Sequence, residues 1–324
     1  MFRGLVLDPQ APVDLHLHTV ASDGGWTASA LIEHLAARGF RVVAICDHDT
    51  MRSVPEAVDL GERRGIVVVP GVEVTTRWDG RQWHLLVYGV DLATARAWRF
   101  ARLLDYLADQ LWAAAERGIQ VLERHGHRLP SLAEVANGQP LRPYHVLMAM
   151  IRDGHATNLT TAHELTKRYG EAMFVDVPLA EAVELAHQAG GMCVLAHPGR
   201  NDGEGVLDPE QLDRMLAVAA LDGLEAHYRS HSDEDTAHYR VMADGRGLLV
   251  SAGSDSHAPG FPVDPRPYPA AWIAPLLGRL GLEVERVERE PWRPGTLVAK
   301  RPRAFVGCET EGAGHLGVAA AESS

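Results

Sequence analysis

Apolar and polar positions alternate near the start of the chain, with Val13, Leu15 and Leu17 falling between Asp14, His16 and His18. That period of two predicts a strand carrying both histidines on one face. Residues 41–46 and 66–69 are instead continuous apolar runs rich in β-branched side chains, the pattern of parallel strands buried on both faces. Between them, Ser53-Val54-Pro55-Glu56 reads as a capping box with proline in the first turn of a helix that ends near Gly65, which completes a β-α-β unit. Another helix is predicted over residues 27–38, with Leu31, Ile32 and Leu35 on one face and Gly39 as its stop. Strands at 13–18, 42–46, 66–74, 83–90, 192–196, 223–227 and 248–252 make seven, and helices at 179–188, 209–220 and 233–244 separate the later ones. The expected fold class is α/β, a closed or nearly closed parallel (β/α) barrel rather than an antiparallel sandwich.

From residue 93 to 177 the strand signal disappears, while Leu103, Leu107, Leu111, Ala115 and Ile119 recur at helical spacing. This predicts a helical insertion between two barrel strands, placed over the C-terminal face as a cap on the substrate, since βα loops build the active sites of such folds on that face. The barrel is then expected in two parts, 11–92 and 178–258. Residues 259–324 form a proline-rich extension whose tail, from Gly312, is expected to be disordered.

Composition narrows the function. No apolar run reaches the roughly 20 residues needed to cross a bilayer, and residues 1–10 lack a secretory signal, so a cytoplasmic protein with no membrane partner is expected. The 3 cysteines contain no C-x-x-C pair, and Cys46 and Cys193, inside apolar runs, read as small buried hydrophobes. A net charge of −12 argues against nonspecific binding of long nucleic acid, so an anionic ligand must be caught locally. The 17 histidines are the unusual number, because many sit beside Asp, Gly or another His.

These histidines, with a few carboxylates, keep falling at strand ends. His16 and His18 lie on the first strand, Asp23 in the loop after it, and His48, between Asp47 and Asp49, ends the second. Glu73 ends the third and His84 lies on the fourth. His197 follows the fifth, and Asp255 and His257 follow the last. Nine such groups exceed the coordination number of one ion, so a cluster of two or three divalent metals is expected, with Mn²⁺, Zn²⁺ and Fe²⁺ all compatible with these ligands. Clustered divalent ions suit phosphoester hydrolysis without a side-chain nucleophile. Asp14, Asp47 and Asp49 are expected either to orient ligand histidines or to fill turn and cap roles. Arg200, His227 and His231 are candidate substrate contacts, whereas His125, His127, His155, His163, His187 and His238 read as structural.

From Asp14 to His257 the pattern resembles the PHP (polymerase and histidinol phosphatase) phosphoesterases. The resemblance implies a distorted seven-stranded barrel, with His16, His18, Glu73 and Asp255 on one metal, a bridging Glu73 with His84 and His197 on a second, and Asp23, His48 and His257 on a third. Within the family, the position of the insertion is similar to that of the nucleoside 3′,5′-bisphosphate phosphatases, some of which trim RNA from its 5′ end and carry an Arg-Pro-His element on the insertion. This chain reads Arg142-Pro143-Tyr144-His145, with tyrosine where histidine is expected. The resemblance therefore implies Glu73, Asp255 and Arg142 as the catalytic groups and Arg142 and His145 as substrate contacts. The implied partners are a small nucleotide substrate and short single-stranded RNA 5′ ends. A histidinol-phosphatase-like enzyme, another small-molecule phosphatase, a metal amidohydrolase and a non-catalytic PHP module are the alternatives.

Overall fold

The computed structural model describes residues 5–200, 206–286 and 291–296. After a short β1 (Val6–Leu7), β2 (Pro12–Leu17) leads through a loop into α1 (Ala28–Ala37), where the Thr27 hydroxyl accepts from the Ala30 N–H and Leu31, Ile32 and Leu35 are buried. Then come β3 (Val42–Ile45) and α2 (Val54–Arg64), whose expected capping box does not form. Ser53 makes no cap, and its hydroxyl donates instead to Asp47 in the loop after β3. A different structural need at the barrel mouth overrides the local helix signal.

Next, β4 (Val67–Trp78) and β5 (Arg81–Tyr88) form a long hairpin around Asp79-Gly80, both with positive φ, as a two-residue turn requires. This corrects the all-parallel expectation, because β5 runs antiparallel to β4 and to the strand on its other side. The insertion follows, with α3 (Trp98–Arg124), α4 (Leu132–Ala136), α5 (Pro143–Arg152) and α6 (Leu159–Arg168). Its outer half has a small core of its own, in which Ala114, Ala115 and Leu122 pack with Val146, Leu147, Met150, Ala162 and Met173. The two-residue β6 (Val177–Pro178) returns the chain to the sheet beside β4.

The remaining elements alternate as expected: α7 (Leu179–Gln188), β7 (Met192–Leu195), α8 (Pro209–Leu216), β8 (Gly223–Tyr228), α9 (Asp233–Asp244) and β9 (Leu249–Gly253). The last described elements are β10 (Tyr268–Pro269), α10 (Ala274–Arg279) and β11 (Glu283–Val284), and β11 pairs with β1. Apart from the two-residue β6 and β10, seven strands form the main sheet, in the order β2-β3-β4-β5-β7-β8-β9. A bridge between Leu17 and Ser256, with the Asp255 N–H donating to the His16 carbonyl (2.8 Å), brings its two edges together. The result is a nearly closed, barrel-shaped sheet.

Two apolar cores follow from the pleat. Val43, Ile45, Val72, Val74, Leu85 and Leu195 face outward against the helices, while Val42, Ala44, Val69, Leu86, Tyr88 and Val194 face inward. Trp272, Ile273, Leu276, Leu277 and Leu282, from the segment expected to be an extension, fill the inner core together with Val13 and Leu15. Each such side chain contributes about 1.5–3 kcal/mol when fully buried. The tail expected to be disordered lies outside the described residues.

Candidate metal centre

The C-terminal ends of the parallel strands meet at one mouth of the barrel, and β5 reaches the same place from the opposite direction. Because β5 is antiparallel, its early residue His84 pairs with Thr75 near the far end of β4, two residues beyond Glu73. A histidine near the start of one strand thus joins ligands from the ends of the others. On β2 the register shifts between Asp14 and Leu17, and the rings of His16 and His18 lie 5.1 Å apart, centre to centre.

Glu73, 1% exposed, sits at the centre. One of its oxygens lies 3.1 Å from His16 Nε2, 3.2 Å from His18 Nε2 and 3.3 Å from His48 Nδ1, and the other lies 3.0 Å from both His84 Nδ1 and His197 Nε2. Asp255 Oδ1 is 3.1 Å from His18 Nε2 and 3.4 Å from His257 Nδ1. Asp23 lies 3.3 Å from His257 Nε2, 3.6 Å from His18 Nδ1 and 3.7 Å from His48 Nε2. All nine sequence-predicted ligands are therefore brought together. Within this cluster, three overlapping sets have donor atoms close enough to hold an ion: His16, His18, Glu73 and Asp255; His18, Asp23, His48 and His257; and His48, Glu73 and His84.

The donor chemistry fits divalent cations. Burial opposes the charge on Glu73, Asp23 and Asp255, yet neighbouring imidazoles overcome it and hold all three well below the usual carboxylate range: His16, His48 and His84 at Glu73, His257 and His48 at Asp23, and His16, His18 and His257 at Asp255. His18 Nδ1 and Nε2, His48 Nδ1 and His84 Nδ1 are buried without a hydrogen bond, an arrangement costing about 1–3 kcal/mol per group unless a cation satisfies it. His16 is the clearest case. Its Nδ1 lies 3.0 Å from Glu225 Oε1, and since a carboxylate only accepts, Nδ1 carries the proton. Nε2 faces Glu73 at 3.1 Å, where Glu73, Glu225 and Asp255 favour a second proton against the cost of burial, and a divalent ion held between the two would take that proton's place.

Glu225 was not singled out from the sequence, although a lone carboxylate inside the apolar run of β8 was its signal. Its second oxygen accepts the His197 N–H (2.8 Å), so one buried side chain fixes two ligand positions. Gly253 makes room for it, because a Cβ there would come within 2.4 Å of Glu225 Oε1 and 2.2 Å of the His16 Cβ. Tyr228 and Arg229 were missed as well. Both donate to Asp255 Oδ2, Tyr228 Oη at 2.8 Å, which leaves Oδ1 facing the histidines. Asp14, Asp47 and Asp49 tie separate segments together around the mouth rather than filling local turns. Asp14 accepts from the Ser254 and Arg266 N–H groups, Asp47 from Thr19, Ser22 and Ser53, and Asp49 from Thr75. Asp49, His197 and Asp255, in or beside the cluster, hold positive φ, a conformation uncommon for residues other than glycine.

The candidate substrate contacts divide. Arg142, the residue before α5, is buried beside the cluster, where its guanidinium donates to the His48 carbonyl (2.8 Å) and faces Asp49, Asp47 and Asp23. It lines a pocket of about 240 Å³ between the cluster and the insertion. Arg200 reaches within 3.7 Å of Asp255 Oδ2. His145, expected at the substrate, turns back instead, and its Nδ1 accepts the Arg142 N–H (3.2 Å). His227 is also displaced from its expected role: it stacks on Trp272 and accepts from Arg240, among aromatic side chains at the inner core. His231 spends both ring nitrogens on backbone, Nδ1–H donating to the Ala226 carbonyl and Nε2 accepting the Gly199 N–H.

No helix among the described residues is long and apolar enough to cross a membrane. The chain is 31% identical over 256 residues to the 3′,5′-nucleoside bisphosphate phosphatase of Chromobacterium violaceum, covering 77% of this chain and 88% of that protein. It is 29% identical to the 5′-3′ exoribonuclease Rnm of Salmonella typhimurium, over 76% and 85% of the two chains. A solved Chromobacterium violaceum structure described as an amidohydrolase, with bound sulfate, superposes with a TM-score of 0.67 at 31% identity, covering 78% of this chain and 90% of that one. The PHP domain family matches residues 14–199, a span that holds seven of the nine clustered side chains and leaves only Asp255 and His257 beyond it. Barrel, cluster and relatives agree, and the chain belongs to the PHP domain family of metal-dependent phosphoesterases.

Proposed function

We propose that this chain hydrolyses the 3′-phosphate of nucleoside 3′,5′-bisphosphates, and that it also trims short 5′-phosphorylated RNA from the 5′ end. The observation that carries the reading is the buried guanidinium of Arg142 lining the same pocket as Asp23, His48 and His84. A substrate with two phosphates needs two anion-binding subsites, and this pocket offers the cluster for one and Arg142 for the other. Both relatives act, by their names, on nucleotides or RNA.

His16, His18, Glu73 and Asp255 would hold one divalent ion, Glu73, His84 and His197 a second, and Asp23, His48 and His257 a third, with Mn²⁺, Zn²⁺ and Fe²⁺ all compatible with the donors. Bound there, such ions supply electrophilic polarisation of the phosphoryl group and water acidified towards neutral pH. The protein's part is to orient. Glu225 holds His16 in one tautomer, Tyr228 and Arg229 restrict Asp255 to one free oxygen, and the His48 carbonyl fixes one guanidinium nitrogen of Arg142 while other N–H groups remain for a phosphate. Binding energy at the remote phosphate then orients the reacting one.

Side-by-side kinetics of Mn²⁺-loaded protein on adenosine 3′,5′-bisphosphate, AMP, histidinol phosphate and a 5′-phosphorylated oligoribonucleotide test this. The bisphosphate should be fastest and give AMP. A clear preference for histidinol phosphate would overturn the substrate while keeping the chemistry. The solved relative described as an amidohydrolase favours a second reading, amide hydrolysis. Release of an amine from an acetylated substrate, with no phosphate released from any phosphoester, is the result that would establish it.

A further inference from the structure

The pocket has two unlike walls. One is the cluster and the polar residues beside it. The other is apolar and comes from the insertion and the segment after it: Leu111 of α3, Tyr144 and Leu147 of α5, Leu159 of α6, and Phe174. Phe174 is 46% exposed and Leu159 39%, although both border a polar site. The Phe174 ring is supported by His163, whose ring lies 5.7 Å away and nearly parallel, and by the Lys167 ammonium 4.6 Å from its centre.

We infer that this wall is a nucleobase platform, so that the insertion recognises the base while the barrel acts on the phosphate. The inference rests on the proposed function and adds the residues that select a nucleotide over other phosphoesters. A half-exposed phenylalanine beside leucines is unfavourably hydrated, and a planar aromatic ligand covers such surface with little loss of its own conformational freedom. At about 240 Å³ the pocket is small, a scale that leaves room for a single base beside the cluster. Tyr144 joins the two walls. It follows Arg142 and Pro143 at the start of α5, so the same turn carries the guanidinium beside the cluster and an aromatic ring that lines the pocket. Stacking depends on a π-face that every base has, so the platform selects bases as a class.

The test compares adenosine 3′,5′-bisphosphate with 1-deoxyribose 3,5-bisphosphate, which keeps both phosphates and lacks the base. In wild-type protein kcat/KM should favour the nucleotide, and Phe174→Ala should reduce that ratio on the order of 10- to 100-fold, chiefly through KM. Phe174→Tyr should restore most of it. A wild-type ratio near one, or a ratio that Phe174→Ala and Tyr144→Ala both leave unchanged, overturns the platform while leaving the proposed reaction standing. Should the wild type cleave neither bisphosphate yet hydrolyse other phosphoesters, the proposed function fails and the platform with it.

Discussion

At the scale of single residues, the cluster makes one carboxylate and its neighbours decisive. Asp255→Asn or His16→Ala should abolish phosphoester hydrolysis with little change in thermal stability, because each removes a donor from the set around Glu73. Wild-type turnover by a metal-loaded Asp255→Asn protein is the result that would sink the assignment. Chelation should silence the native enzyme and added Mn²⁺ restore it. Glu225→Ala makes a subtler claim, since Glu225 touches no candidate ion directly. It should weaken metal binding by about 10- to 100-fold, as loss of an orienting partner does, and calorimetric titration of the metal-free protein measures this apart from turnover. Glu225→Gln can accept from only one of its two donors with its single carbonyl oxygen, so it should fall between the two. An unchanged metal affinity in Glu225→Ala would make this carboxylate a purely structural group. The contrast with Asp255 also shows what the sequence can reveal. The nine clustered residues were legible because a His-x-His strand and repeated strand-end positions carry a pattern, whereas Glu225, Tyr228 and Arg229 act through a partner far away in sequence. No spacing rule marks a contact such as His16 to Glu225.

At the scale of elements, the start of α5 is the point where the insertion meets the chemistry. Arg142→Ala should lower kcat/KM on the order of 10²-fold or more with metal content unchanged, and Arg142→Lys should recover part of the loss, since an ammonium keeps the charge but not the planar fork. If metal content falls with activity in Arg142→Ala, the residue serves the His48 loop rather than the phosphate. The same turn limited the sequence reading, because His145 sits beside Arg142 and reads as a partner in binding until its Nδ1 is seen to accept the Arg142 N–H. The direction of β5 was missed for another reason. Asp79-Gly80 is a strong hairpin signal, but strands alternating with helices on either side made a parallel arrangement the simpler expectation. The helices on the outer face were well placed, since their apolar periodicity reports directly on which side is buried.

At the scale of the whole molecule, the segment after the last long strand completes the barrel. Removing everything from Tyr268 onward should yield protein that aggregates or binds a hydrophobic dye such as ANS, because it strips Trp272, Ile273, Leu276, Leu277 and Leu282 from the inner core. A soluble, cooperatively melting truncation would show that the inner core is sufficient without them. The sequence did not reveal this role because a proline-rich stretch reads as an appendage, and the leucines behind it have too short a period to declare which surface they cover. The pairing of β1 with β11 carries a consequence for biosynthesis. A ribosome delivers Val6 and Leu7 first and Glu283 and Val284 hundreds of residues later, so the two ends cannot zip until nearly all of the described chain has been translated. The barrel sheet itself meets edge to edge at Leu17 and Ser256, so the outer pairing is a clasp laid on afterwards rather than the contact that closes the sheet.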